Sequence, residues 1–219
     1  MLCALMDGRA HTSKELALVA GISAATGSSH LRALRDAGLI RSEQSGRTIY
    51  HRIASEQVAE QLEGLATLVP PSFARRLRQA RNTDPDGLIA RCCYNHLAGW
   101  LGVAIGNSLE ARGAVAKIGE TCTAGPDRAL LADVSGLEHR QGEVIGKLCL
   151  DWSERRPHIA GRLGRAMLVA ALGRGWLVRA PIGRALRVTE AGRHAYDDLL
   201  GLNVPDAAER AAPRPGTDP

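Results

Sequence analysis

The sequence predicts a mainly α-helical protein with small β-hairpin wings: an N-terminal winged helix-turn-helix and a C-terminal domain of repeated winged-helix-like units. Three observations predict this. Capping residues and apolar residues at helical spacing mark two short helices within residues 12 to 37. An alternating segment about a glycine follows them, and the second half repeats a pattern of Cys, His and Gly at fixed spacing.

The first helix opens at Thr12 with Glu15 three positions on, places Leu16, Val19 and Ala20 on one face, and stops at Gly21. Ser23 then caps a second helix whose stripe is Leu31, Leu34 and Ala37, before Gly38 ends it. Two short helices across a tight glycine turn make a helix-turn-helix. The stretches 39 to 42 and 48 to 53 alternate as two strands about Ser45-Gly46, which makes a wing with Arg47 at its tip. A cation there reaches a phosphate or the minor groove. Residues 55 to 68 return to helical spacing through Val58, Leu62 and Leu65, closing a first domain at 1–68.

Residues 69 to 86 hold three prolines and four arginines and read as a basic linker. It is a solvated connector, or a segment whose Arg75, Arg76, Arg78 and Arg81 also touch phosphates. Residues 87–202 are expected to form an effector and dimerisation domain, and 203–219, rich in Pro and Ala, a disordered tail.

Within that domain, Cys93, His96, Gly99 and Gly102 recur as Cys149, His158, Gly161 and Gly164, with WSERRP inserted in the second copy. A glycine follows each histidine by seventeen residues, at Gly113 and Gly175, and a strand-like segment follows each glycine. The spacing predicts two helix-then-strand units. Gly175 leads in eight residues to Gly183-Arg184 as Gly38 leads to Gly46-Arg47, so a second wing-like hairpin is expected, then a helix started by Thr189.

Composition bounds the function. With 219 residues, 45% hydrophobic, 23% charged and 3% aromatic, the chain is a globular protein, and it has no run near the ~18 to 20 apolar residues of a membrane span. Asp7 interrupts any signal-peptide core, so a cytoplasmic protein with no membrane partner is expected. The odd count of five cysteines fits reduced thiols. The net charge of +5 rests on 25 Arg against 3 Lys. Arg32, Arg35, Arg41, Arg47 and Arg52 gather within residues 23 to 52, against Asp36 and Glu43.

The run Ser23, Thr26, Ser28, His30, Leu31, Leu34, Ala37, Gly38, Leu39 follows the pattern S-x-x-T-x-S-x-H-L-x-x-L-x-x-A-G-L, and Gly46, Arg47 and Tyr50 follow G-R-x-x-Y. On these residues the stretch 1 to 68 resembles the DNA-binding half of ArsR-type winged-helix transcriptional regulators. The resemblance implies a dimeric regulator, a repressor of a double-stranded DNA operator, that answers a small-molecule, metal or redox effector. The implied DNA-binding set is Ser23, Thr26, Ser28, Ser29, His30, Arg32 and Arg35 on the second helix, with Arg47 and Tyr50 of the wing. Small hydroxyls let such a helix sit deep in the major groove, while Arg and His suit guanine or phosphate. A winged helix used only for protein contacts is the alternative.

Two departures matter. Members of that family begin with a further helix, and Met1 here falls where their second helix is under way, so the start lies further upstream or dimer contacts come from elsewhere. Their metal sensors carry a cysteine pair on the first helix of the helix-turn-helix, where this chain reads ELALVAG, and the helix at 55 to 68 lacks the His and Asp of their other common site.

The candidates for metal or thiol sensing are Cys93, His96, Cys149, Asp151 and His158, with Cys93 and His96 on one face of one helix. The same residues also suit plain packing and helix capping. Apart from a metal ion there, no cofactor is expected. An alternative function follows: a zinc- or thiol-dependent sensor or docking protein. Trp100, Trp152 and Trp176 either line an effector pocket or pack in the core. No catalytic triad, phosphate-cradling loop or H-E-x-x-H pattern stands out, so no enzyme is expected.

Overall fold

The computed structural model describes residues 1–68, 86–181 and 183–206. The linker arginines and the tail beyond residue 206 lie outside the described residues.

The chain starts with α1 (Leu2–Leu5) and the short strand β1 (His11–Thr12). Helix α2 (Ser13–Ala20) begins at a full capping box: the Thr12 hydroxyl accepts the Glu15 N–H at 3.2 Å, and the Glu15 carboxylate accepts the Thr12 N–H at 2.7 Å. Gly21 ends it in the left-handed conformation, φ 65°, which sets the turn into α3 (Ala24–Asp36). The two helices cross closely at Gly27, where a Cβ would lie 2.9 Å from the Ala17 methyl. The wing is β2 (Ile40–Ser45) and β3 (Thr48–Ile53), antiparallel, with β1 on the outer side of β3. Helix α4 (Glu56–Thr67), capped by Ser55, completes the unit.

The C-terminal half runs α5 (Asp86–Ile89), β4 (Arg91–Cys93), β5 (His96–Ala98), α6 (Trp100–Ala111), β6 (Val115–Ile118), β7 (Thr121–Ala124) and α7 (Arg128–Ser135). It continues with β8 (Val144–Leu150), β9 (Pro157–Ala160), α8 (Gly161–Gly173), β10 (Leu177–Arg179), β11 (Leu186–Val188) and α9 (Glu190–Leu200). Strands β6 to β9 form one antiparallel sheet in sequence order, while β4–β5 and β10–β11 are separate hairpins. Among the described residues, 45% are helical and 25% in strands, more strand than hairpin wings alone would supply. Residues 203 to 206 are described, and Val204, 4% exposed, packs in the core. No helix among the described residues is long and apolar enough to cross a membrane.

One sequence expectation is corrected. Cys93 and His96 do not share a helix; they face each other across the β4–β5 hairpin, and the helix begins only at Trp100. The turn between them holds Tyr94 in the left-handed region, φ 58°, which breaks helical continuity. Period-two burial explains the choice. Cys92 and Leu97 enter the large C-terminal core, whereas Cys93 and Ala98 enter the N-terminal core with Leu5, Ile53 and Ala59. A strand serves two cores by alternation, and this hairpin is the partition between them.

His51, on β3, ties the N-terminal unit together: its ring nitrogens lie 2.8 Å from the Ser13 hydroxyl and 2.9 Å from that of Ser42. Burial, and secondarily Arg35, lower its pKa from the ordinary 6.5. Folding therefore favours the neutral ring. That contribution is complete above pH 6.5 and is lost as pH falls through the folded-state value. Melts taken between pH 8 and pH 5 should show this loss, and His51→Gln should flatten that part of the profile.

Candidate nucleic-acid interface and metal centre

Helix α3 turns its polar face outward because Gly27 and Leu31 are the side it buries. Thr26, Ser28, Ser29, His30, Arg32 and Arg35 are all exposed on it, as is Arg47 at the wing tip, and Tyr50 is half-buried on β3. Several are engaged locally. The Ser23 hydroxyl caps the helix, accepting the Thr26 N–H at 3.2 Å, and lies 2.9 Å from the Thr26 hydroxyl. Ser28 donates to the Ala24 carbonyl at 2.9 Å, and Arg35 leans on Asp36 at 3.3 Å. Ser29, His30 and Arg32 point outward beside them, which gives the helix hydroxyl, imidazole and guanidinium groups of the kinds that read base edges.

A second cluster sits at the partition. Strands β4 and β5 pair Cys93 with His96, and β8 and β9 pair Cys149 with His158. The two hairpins bring these side chains face to face. One ligand atom from each of the four lies within 4.8 Å of all the others. Each approach depends on a glycine in a following helix: a Cβ on Gly102 would meet the Leu97 carbonyl at 2.5 Å and lie near the His158 Cβ. One on Gly164 would meet the Ile159 carbonyl at 2.2 Å and the His96 Cβ at 3.1 Å. The imidazoles stack with centroids 5.0 Å apart, their Nε2 atoms separated by 3.1 Å.

The surroundings orient both rings. His96 Nδ1 faces the Asn95 side-chain oxygen at 3.1 Å, and His158 Nδ1 lies 3.8 Å from the Asp151 carboxylate, with no hydrogen-bond partner of its own. Burial, then His96, hold His158 down to about 3, so it stays neutral with a lone pair available. Burial opposes charge on His96 too, but Cys93 and Glu63 outweigh it and raise its pKa. Hydrogen bonding to Cys149 and burial push the Cys93 thiol up. Two thiols and two imidazoles at one point are the donor set of tetrahedral zinc or of copper(I).

Asp151 is not in that set. Its buried carboxylate accepts from Arg91 at 2.7 Å, from the Gly99 N–H at 2.7 Å, and from the Ser153 hydroxyl and N–H. Arg91 in turn lies 4.0 Å from Glu63 of α4, which Arg184 approaches to 2.9 Å. Asn95, Arg91, Glu63 and Arg184 are neighbours of the cluster that sequence reasoning does not find. Glu63 alone carried a signal, standing one turn beyond Ala59 on the inward face of its helix. Of the tryptophans, Trp152 lies under Arg91, Trp176 packs edge-on to Tyr196, and Trp100 rests on the core.

The description of the arsR family of bacterial regulatory proteins matches residues 1–42. Over 208 residues, 93% of this chain and 92% of the other, the sequence is 38% identical to an uncharacterized HTH-type transcriptional regulator, YdfF, of Bacillus subtilis (strain 168). No solved structure matches significantly.

Proposed function

Since the chain belongs to the arsR family and is a DNA-binding transcriptional regulator, we propose that it is a cytosolic homodimeric repressor released from its operator by an effector held in residues 87–202. The observation that carries this reading is the outward polar face of α3 beside the basic wing tip, joined through buried ion pairs to the C-terminal half. Ser29, His30 and Arg32 read bases, Thr26, Ser28 and Tyr50 support them, Ser23 presents the helix, and Arg35 and Arg47 hold phosphates. Leu65 and Leu68, 60% and 76% exposed at the end of α4, are an apolar face for a second copy.

We further read the C-terminal half as two copies of one unit. The order hairpin, helix, hairpin, helix occurs at β4 to α7 and again at β8 to α9, each copy opening on a Cys/His cross-strand pair. Such duplication gives the effector a site between equivalent elements, and effector and operator then share a coupling free energy.

Footprinting on the duplex upstream of the protein's own gene tests the reading. Two protected half-sites about 10 base pairs apart, or a multiple of that, with affinity falling as salt rises, are expected. Equal binding to random duplex with no salt slope would sink it.

A further inference from the structure

We propose that Cys93, His96, Cys149 and His158 form one four-coordinate site for a divalent metal ion of zinc's coordination chemistry, and that filling it changes operator affinity. The second half of this statement rests on the operator reading above; the first does not.

The donor atoms are already gathered. Zinc bonds of about 2.0–2.1 Å to nitrogen and 2.3 Å to sulfur place tetrahedral neighbours roughly 3.3 to 3.8 Å apart. The two Nε2 atoms stand 3.1 Å apart, and all four donors fall within 4.8 Å. Closing on an ion needs only small side-chain adjustments. Charge balances as well: the two thiols give up their protons to solvent and bind as thiolates, the imidazoles bind neutral, and a dication between them leaves a buried site of zero net charge. His96 has the outer partner a metal-bound histidine takes, the Asn95 amide oxygen at 3.1 Å, and the Asp151 carboxylate stands 3.8 Å from the His158 Nδ1, near enough to attract its proton without a hydrogen bond. Cys149, half-buried, marks the way in.

Position supplies the regulatory consequence. The turn of the first ligand hairpin docks on the N-terminal unit: the Tyr94 N–H donates to the Met6 carbonyl at 2.7 Å, and a Cβ on Gly8 would meet the Tyr94 carbonyl at 2.4 Å. Three residues beyond Gly8, β1 joins the wing sheet. The second ligand hairpin reaches α4 through Asp151, Arg91 and Glu63. An ion drawing the hairpins together therefore acts on both supports of the DNA-reading unit.

Cobalt(II) and zinc titrations of the full-length, reduced, chelator-stripped chain decide the first claim. One ion per chain is expected, the cobalt form showing the visible bands of tetrahedral geometry and a thiolate charge-transfer band. Cys149→Ser and His158→Gln should each weaken binding at least tenfold while circular dichroism stays unchanged. Sub-stoichiometric binding, equal affinity in folded Cys149→Ser, or a chain that only forms a Cys93–Cys149 disulfide in air would overturn the site. For the second claim, operator affinity with and without zinc should differ by at least about fivefold in the wild type and not in Cys149→Ser. Unchanged affinity in a zinc-loaded wild type overturns the regulatory role. Absence of specific DNA binding in both states fails the operator reading instead, with the metal titration intact.

Discussion

Asp151→Ala is expected to lower stability by about 3–5 kcal/mol, the usual cost of leaving a buried partner charge uncompensated. Asp151 is 0% exposed, and removing its carboxylate takes from Arg91, 3% exposed, its nearer counter-charge, Glu63 standing at 4.0 Å, and takes the acceptor from the Gly99 N–H that opens α6. Urea denaturation should show a lower midpoint; an unfolding free energy within about 0.5 kcal/mol of wild type would mean that the hub carries no weight. Asp151→Asn keeps an acceptor for Gly99 while discarding the charge, and should fall between. The same carboxylate gives an acid signature. Burial opposes its ionisation, but Arg91, His158 and the Ser153 hydrogen bond outweigh burial and hold it well below its ordinary 3.8. Its stabilisation is present above that value and is lost as pH falls through the folded-state value.

On the DNA side, Arg32→Ala is expected to cost 10- to 100-fold in operator affinity and to relax discrimination at one base pair of each half-site. Arg47→Ala should instead weaken binding to operator and random duplex alike and reduce the salt slope by about one. Both side chains are exposed, so melting should shift by less than about 0.5 kcal/mol in either variant. Competition fluorescence anisotropy over a salt series separates the two. If both variants lost affinity uniformly, α3 would be gripping the backbone rather than reading bases.

What was legible in the sequence was what neighbouring residues decide among themselves. Thr12 with Glu15, Ser23 with Thr26, and Thr189 with Gly192 each cap a helix within three residues, and these starts were found. Glycines 21, 113 and 175 sit at positive φ where helices were expected to stop. The hairpin at 91 to 98 was misread because its pattern answers to two cores at once, which no local window reveals. The repeat of Cys and His pointed at the cluster, and four of its five candidates converge. Asp151 is grouped with them by its place in the repeat and its carboxylate. Its true partners are Arg91, 60 residues away, and Gly99, 52 away, a pairing set by how the hairpins dock.

The hairpin that faces two cores also bears on how such a protein can be taken apart. A fragment ending at residue 68 would lose Cys93, Ala98 and the half-buried Tyr94 and Cys149 from its interior, and would bare Leu5, Ile53 and Glu63 to water. The DNA-reading unit is thus not an interchangeable cassette to be spliced onto another sensor. Its interior is finished by the half that follows it, so a transplanted N-terminal unit would need the β4–β5 hairpin with it.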